Sequence, residues 1–180
     1  MTRGSLRLDS ARWAQLTQAY GTAEDVPRLL EALACIGRED ARAEVWFALW
    51  RTLHRPGESY TASYAAAPHL LAIAGAFGVR ERAEAAHLVT RIETSRRDPG
   101  SAPMPDDLVE PYAIAVERLP AFVAEAASDP WPSDVAQIFA AAMLAGKRHA
   151  ELAREVLELG RAPTCPTCGS DYAAAAAPRD

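Results

Sequence analysis

The chain has 180 residues, with 19 Lys+Arg against 24 Asp+Glu and a formal net charge of −5. That length suits one domain able to bury roughly 70% of its unfolded surface. With 49% hydrophobic and 24% charged residues it is not a disordered chain, and it holds no stretch near the roughly 18 to 20 apolar residues that cross a bilayer. The deficit of basic charge also argues against sequence-independent nucleic-acid binding, which depends on neutralising phosphates.

About a fifth of the residues are Ala, while Val, Ile and Thr are sparse. Ala is the best helix former and the β-branched residues favour strands, so an all-α domain is expected. The opening Met1-Thr2-Arg3-Gly4-Ser5-Leu6-Arg7 carries positive charge with no apolar run behind it, unlike a secretory signal. Cys35, Cys165 and Cys168 do not make a disulfide framework. The expected setting is therefore cytoplasmic.

Apolar periodicity predicts helices near 9–19, 25–36, 39–54, 59–76, 79–94, 108–127, 133–145 and 148–159. Gly21, Gly37, Pro56-Gly57 and Gly78 punctuate the early joins, since Gly accepts the left-handed conformation that ends a helix. The prolines between Ser95 and Pro105, then Asp129-Pro130-Trp131-Pro132, forbid continuous helix. Two regions result: a helical domain over 1–160 and a flexible tail over 161–180.

A repeat runs through the helices. Val26-Pro27-Arg28-Leu29-Leu30-Glu31-Ala32-Leu33-Ala34 recurs as Ala67-Pro68-His69-Leu70-Leu71-Ala72-Ile73-Ala74, and more weakly as Leu119-Pro120-Ala121-Phe122-Val123-Ala124. The following helices match as well, Arg42-Ala43-Glu44 with Arg82-Ala83-Glu84. A period near 40 with two helices per unit lies in the HEAT and armadillo window. Prolines kept at equivalent interior positions would bend each outer helix around its neighbours; otherwise each proline simply starts a helix.

Trp13 and Tyr20-Gly21-Thr22-Ala23-Glu24-Asp25-Val26-Pro27 resemble the opening of small bacterial HEAT-like proteins of uncharacterised function. So do Trp46-Phe47-Ala48-Leu49-Trp50-Arg51-Thr52-Leu53-His54 and Tyr60-Thr61-Ala62-Ser63-Tyr64-Ala65-Ala66-Ala67-Pro68. Where those relatives have a His-Gln-Gly-like turn, this chain has His54-Arg55-Pro56-Gly57. The resemblance spans residues 13 to about 75. It implies a right-handed α-solenoid of three to four helical hairpins, and some members of the group are immunity partners in bacterial toxin systems.

Candidate site residues follow from residue type and spacing. Trp46 and Trp50, four apart, read as core packing, with at least one ring edging out as a binding anchor beside Arg51. His54 ends its helix near Tyr60 and Ser63 in sequence. Trp50, Arg51, His54 and Tyr60 are therefore the candidate partner-binding residues. No histidine pair has metal-ligand spacing on one helical face, and nothing predicts the orienting group and oxyanion hole that a Ser–His nucleophile needs. Cys165-Pro166-Thr167-Cys168-Gly169 could grip half a tetrahedral zinc site, serve as a redox pair or do neither; completion would fall to His149 or Asp171 or to a second chain sharing the zinc, and Cys35 is placed in the core. The acidic residues of the second half read as helix N-terminal or solvated charges, or as a negative groove for a basic partner.

The leading expectation is a non-enzymatic protein-binding module, an immunity or regulatory protein that occludes another protein such as a toxin. A zinc-binding or redox accessory protein using Cys165 and Cys168, and a HEAT-like DNA binder, are the alternatives.

Overall fold

The structure, a computed structural model, describes residues 4–159. The expected tail, with Cys165, Cys168 and Asp171, lies outside the described residues. A 3-10 turn (Ala11–Gln15) and a small hairpin of β1 (Thr17–Gln18) and β2 (Gly21–Thr22) precede α1 (Val26–Cys35) and α2 (Glu39–Leu53). A second hairpin, β3 (His54–Arg55) and β4 (Glu58–Ser59), leads into α3 (Thr61–Ala74) and α4 (Val79–Ser95). Then come α5 (Asp106–Glu117), α6 (Leu119–Ala124), α7 (Ser133–Gly146) and α8 (Ala150–Glu158). The described chain is thus mostly helical, as the Ala-rich composition requires, and none of its helices is long and apolar enough to cross a membrane.

Two predicted helices differ. Over 9–19 the chain makes the 3-10 turn and enters β1 instead. Ser10 Oγ accepts the Arg12 N–H (3.2 Å), and Trp13 and Leu16, three apart, bury together. That spacing suits a 3-10 turn as well as an α-helix, so periodicity alone could not separate them. Thr17 then leaves the helical path, donating its N–H to Thr61 Oγ1 at 2.7 Å. The predicted helix over 108–127 breaks at Arg118 into α5 and α6. Pro120 has no N–H to offer the Val116 carbonyl. Gly146 of α7 presses into this break: a Cβ there would overlap the Pro120 ring and lie 2.9 Å from Val116 O.

The three repeat prolines are not structurally equivalent. Pro27 and Pro120 sit in the first turns of α1 and α6, where the missing N–H needs no partner. Pro68 is interior to α3, as is Pro111 to α5. The expectation of a bent helix at each copy therefore fails at two of the three.

The arginines carry the repeat better. Arg42 donates to the Ile36 carbonyl (2.7 Å) in the turn before its own helix. It pairs with Glu81 through Nη2 at 2.7 Å, and its guanidinium carbon lies 4.3 Å from the Phe77 ring centroid. Forty residues on, Arg82 donates to the Phe77 and Gly75 carbonyls of its own preceding turn. It pairs with Glu125 at 3.1 Å and lies 5.1 Å from the Phe122 centroid. Each arginine thus closes one inter-helix turn and clasps an aromatic ring and a carboxylate from later in the chain.

Packing runs from α1 to α2 and α3, from α3 to α4 and α5, and from α4 to α7 and α8, with α6 and α8 both against α7. Helix α3 is the most enclosed. Ala62, Ala65, Ala66 and Ala67 are buried along it, and their small side chains let helices approach on several sides. Leu30, Leu33, Leu49, Leu53, Leu70, Leu88, Ile92 and Phe139 fill the core between the helices.

Candidate interaction surface

Helix α2 sorts its residues by the 3.6 period. Trp46, Leu49 and Leu53 face inward and are buried. Phe47 and Arg51, one turn apart, point outward, and Phe47 is 62% exposed. Trp50 lies on the flank toward α4 and is half-buried.

The two tryptophans therefore separate. Trp46 is core, and its Nε1 has no hydrogen-bond acceptor among the described residues. Trp50 donates from Nε1 to Glu84 at 3.0 Å and meets the His87 and His54 rings edge-on, at centroid distances of 4.8 and 6.0 Å. It forms the wall between two depressions. A groove of about 400 Å³ lies between α2, α4 and α7, with Phe47, Ala83, Val135 and Ile138 among its walls. A more polar crevice of about 440 Å³ lies on the other side, with His54, His87, Arg91 and Arg154.

His54 is turned toward α4 by the β3–β4 hairpin, away from its sequence neighbours Tyr60 and Ser63. Its Nε2 lies 3.2 Å from Ser95 Oγ. Burial, aided by the Arg91 charge, pushes its pKa down to about 4, so the imidazole is neutral. Among the described residues, neither a partner for its other ring nitrogen nor an orienting third group accompanies the pair with Ser95. Tyr60 starts α3 and donates its hydroxyl to Glu58 at 2.5 Å. Burial first, then Glu58, raises that phenol to about 12.

Arg51 faces the β1–β2 hairpin, which an Ala19 N–H to Thr52 carbonyl bond (3.1 Å) pins to α2. Its Nε and Nη2 donate to Tyr20 Oη at 3.1 and 2.9 Å. Its guanidinium carbon lies 5.5 Å from the Tyr20 centroid and 5.6 Å from that of Phe47. Arg55 approaches the same tyrosine, 5.0 Å from its centroid. The charges acting on this phenol are both positive and lower its pKa, chiefly through hydrogen bonds from Arg51 and then Arg55.

Of the four candidates, the structure joins Trp50 to His54 and places Arg51 on the adjoining face, while Glu58 holds Tyr60. Sequence reasoning missed Tyr20, Phe47 and Arg55. Phe47 was findable, since it stands one turn before Arg51. Tyr20 was not, because its place depends on a hairpin where a helix was expected.

Among the described residues no group of three or more His, Cys, Asp or Glu is arranged to hold a metal ion. Cys35 is exposed at the end of α1, so its expected core position is corrected. Much of the acidic second half is ion-paired: Asp107 with Arg12, Glu117 with Arg148, Glu125 with Arg82 and Glu158 with Arg91. Compared with known proteins, the chain matches no family model, no curated protein and no solved structure.

Proposed function

We propose that this chain is a non-enzymatic protein-interaction module, a HEAT-like stack of helical hairpins that binds and occludes a partner as an immunity or regulatory protein. The observation that carries the reading is the outward ridge of α2. There Phe47, and the 58%-exposed Tyr20 from the adjoining β1–β2 turn, bracket Arg51, with Trp50 on the flank. Tyr, Trp and Arg dominate interface hot spots because they offer large contact area together with directed donors. The repeated Arg42 and Arg82 clasps support stacking of similar units, an architecture whose extended surfaces serve recognition more than catalysis.

The test is affinity capture from native lysate and with the products of neighbouring genes, comparing the wild type with Phe47→Ala. Phe47 is mostly exposed, so the variant keeps its stability within about 0.5 kcal/mol. Capture falls at least about tenfold, as expected for a residue at an interface centre. No difference between the two proteins in what they capture refutes this surface.

A further inference from the structure

Tyr20, Arg51 and Arg55 stand out because two guanidiniums converge on one phenol, with the Glu58 carboxylate only the smallest of the influences on Arg55. Neither guanidinium forms an ion pair among the described residues. Arg55 stands opposite Glu58 in the β3–β4 hairpin, yet Glu58 accepts the Tyr60 hydroxyl and Arg55 lies against the Tyr20 ring. Two cations held beside one phenol repel each other, a cost that an anion between them would remove.

The donors are positioned for such an anion. Arg51 gives Tyr20 two of the five N–H groups a guanidinium carries and keeps the others. Tyr20 Oη accepts from Arg51, so its lone pairs are engaged, while its own O–H has no acceptor among the described residues. All three side chains are exposed. The hairpin that carries Tyr20 is fixed at two points, Thr17 to Thr61 and Ala19 to Thr52, so the donors are held in place before anything binds.

We propose that Tyr20, Arg51 and Arg55 form an oxyanion-recognition site that receives the carboxylates of an acidic segment of a protein partner, with Phe47 as the apolar contact beside it. This rests on the protein-interaction reading and adds the chemistry of what binds. Planar guanidiniums match carboxylates through paired N–H bonds, and the tyrosine O–H supplies a further donor. The −5 net charge of the chain disfavours a long polyanion such as nucleic acid. A short acidic segment, in contrast, engages the patch within one Debye length of about 8 Å.

The test titrates a short glutamate-rich peptide into the labelled full chain and follows the arginine Nε–H resonances by NMR. A glutamine counterpart and oligo-dT serve as comparison probes. The glutamate peptide shifts the Arg51 and Arg55 signals and loses affinity as salt rises, and the glutamine peptide binds at least about tenfold more weakly. Arg51→Gln with Arg55→Gln abolishes the effect, whereas Arg51→Lys with Arg55→Lys restores part of it, because charge returns without the planar fork. The proposal is overturned by no shift at millimolar peptide, by equal binding of the glutamine peptide, by indifference to the Gln substitutions, or by tighter binding of oligo-dT at the same residues. Partner capture that Phe47→Ala removes and the two Gln substitutions leave intact also overturns it, with the interaction reading still standing.

Discussion

At His54, burial and the Arg91 charge act on one imidazole in the same direction. The native group titrates near 4, against an ordinary value of 6.5 in the unfolded chain. Between those values the unfolded state binds more protons, so His54 lowers stability as pH falls from about 6.5 to about 4 and has no such effect above that window. His69 adds to the same trend, its pKa lowered by burial even though a ring nitrogen meets the Leu6 carbonyl at 2.7 Å. The urea midpoint is accordingly lower at pH 5 than at pH 7, and His54→Gln reduces that difference without abolishing it. Equal wild-type midpoints at the two pH values contradict the burial argument. The tryptophans offer a second comparison. Trp13 is buried and donates from Nε1 to the Arg7 carbonyl at 2.9 Å, whereas Trp46 is buried with its N–H unanswered among the described residues. Replacement by Phe leaves a similar void at both sites, but at Trp13 it also breaks a hydrogen bond, and at Trp46 it removes an orphan donor. Trp13→Phe is therefore the more destabilising by about 1 to 3 kcal/mol in urea unfolding. From sequence, the pair at 46 and 50 already implied one core ring and one ring at the edge. Which was which depended on where α4 lies across α2, and side-chain spacing within one helix does not contain that.

Between elements, a single buried hydroxyl links the end of α2 to the start of α3. Ser63 Oγ accepts the Tyr60 N–H at 2.9 Å and donates to the Leu53 carbonyl at 2.5 Å, so it answers an orphan group at the start of α3 and another at the end of α2. Ser63→Ala leaves both without that partner in a site closed to water. It costs about 1 to 3 kcal/mol in chemical denaturation, and a loss below about 0.5 kcal/mol shows that the hydroxyl does not hold the join. Helix positions from α1 through α4 were legible because long apolar periods and glycines bound them. The helix expected over 9–19 was not, since Trp13 and Leu16 satisfy a 3-10 turn equally well and Thr17 finds its partner in Thr61, far along the chain. The break in the run over 108–127 had a visible cause in Pro120. Without knowing that Gly146 would fill the space beside it, a kinked single helix was an equal reading.

For the whole molecule, the repeat near 40 residues was legible both in the prolines and in the match of Arg42-Ala43-Glu44 with Arg82-Ala83-Glu84. The prolines occupy unlike positions, whereas Arg42 and Arg82 make corresponding bonds to their own turns and to a Phe and a Glu further on. The sequence match of the two arginines was visible, but the partners of an arginine are set by packing, so their corresponding contacts appear only once the helices are placed. That equivalence makes a quantitative claim. If similar units stack in order, each depends chiefly on its neighbours, and stability is graded along the stack. The pair α3 and α4 touches α1, α5, α7 and α8, whereas α1 and α2 lie toward one end of the contact sequence and α8 toward the other. Native-state hydrogen exchange in sub-denaturing urea should therefore show amides of α8 and α2 opening at lower free energy than those of α3 and α4. The difference should shrink only as the global transition is approached. A common opening free energy across all these helices would instead mark one cooperative globule, from which no extended recognition surface follows, while the local geometry around Arg51 stayed as it is.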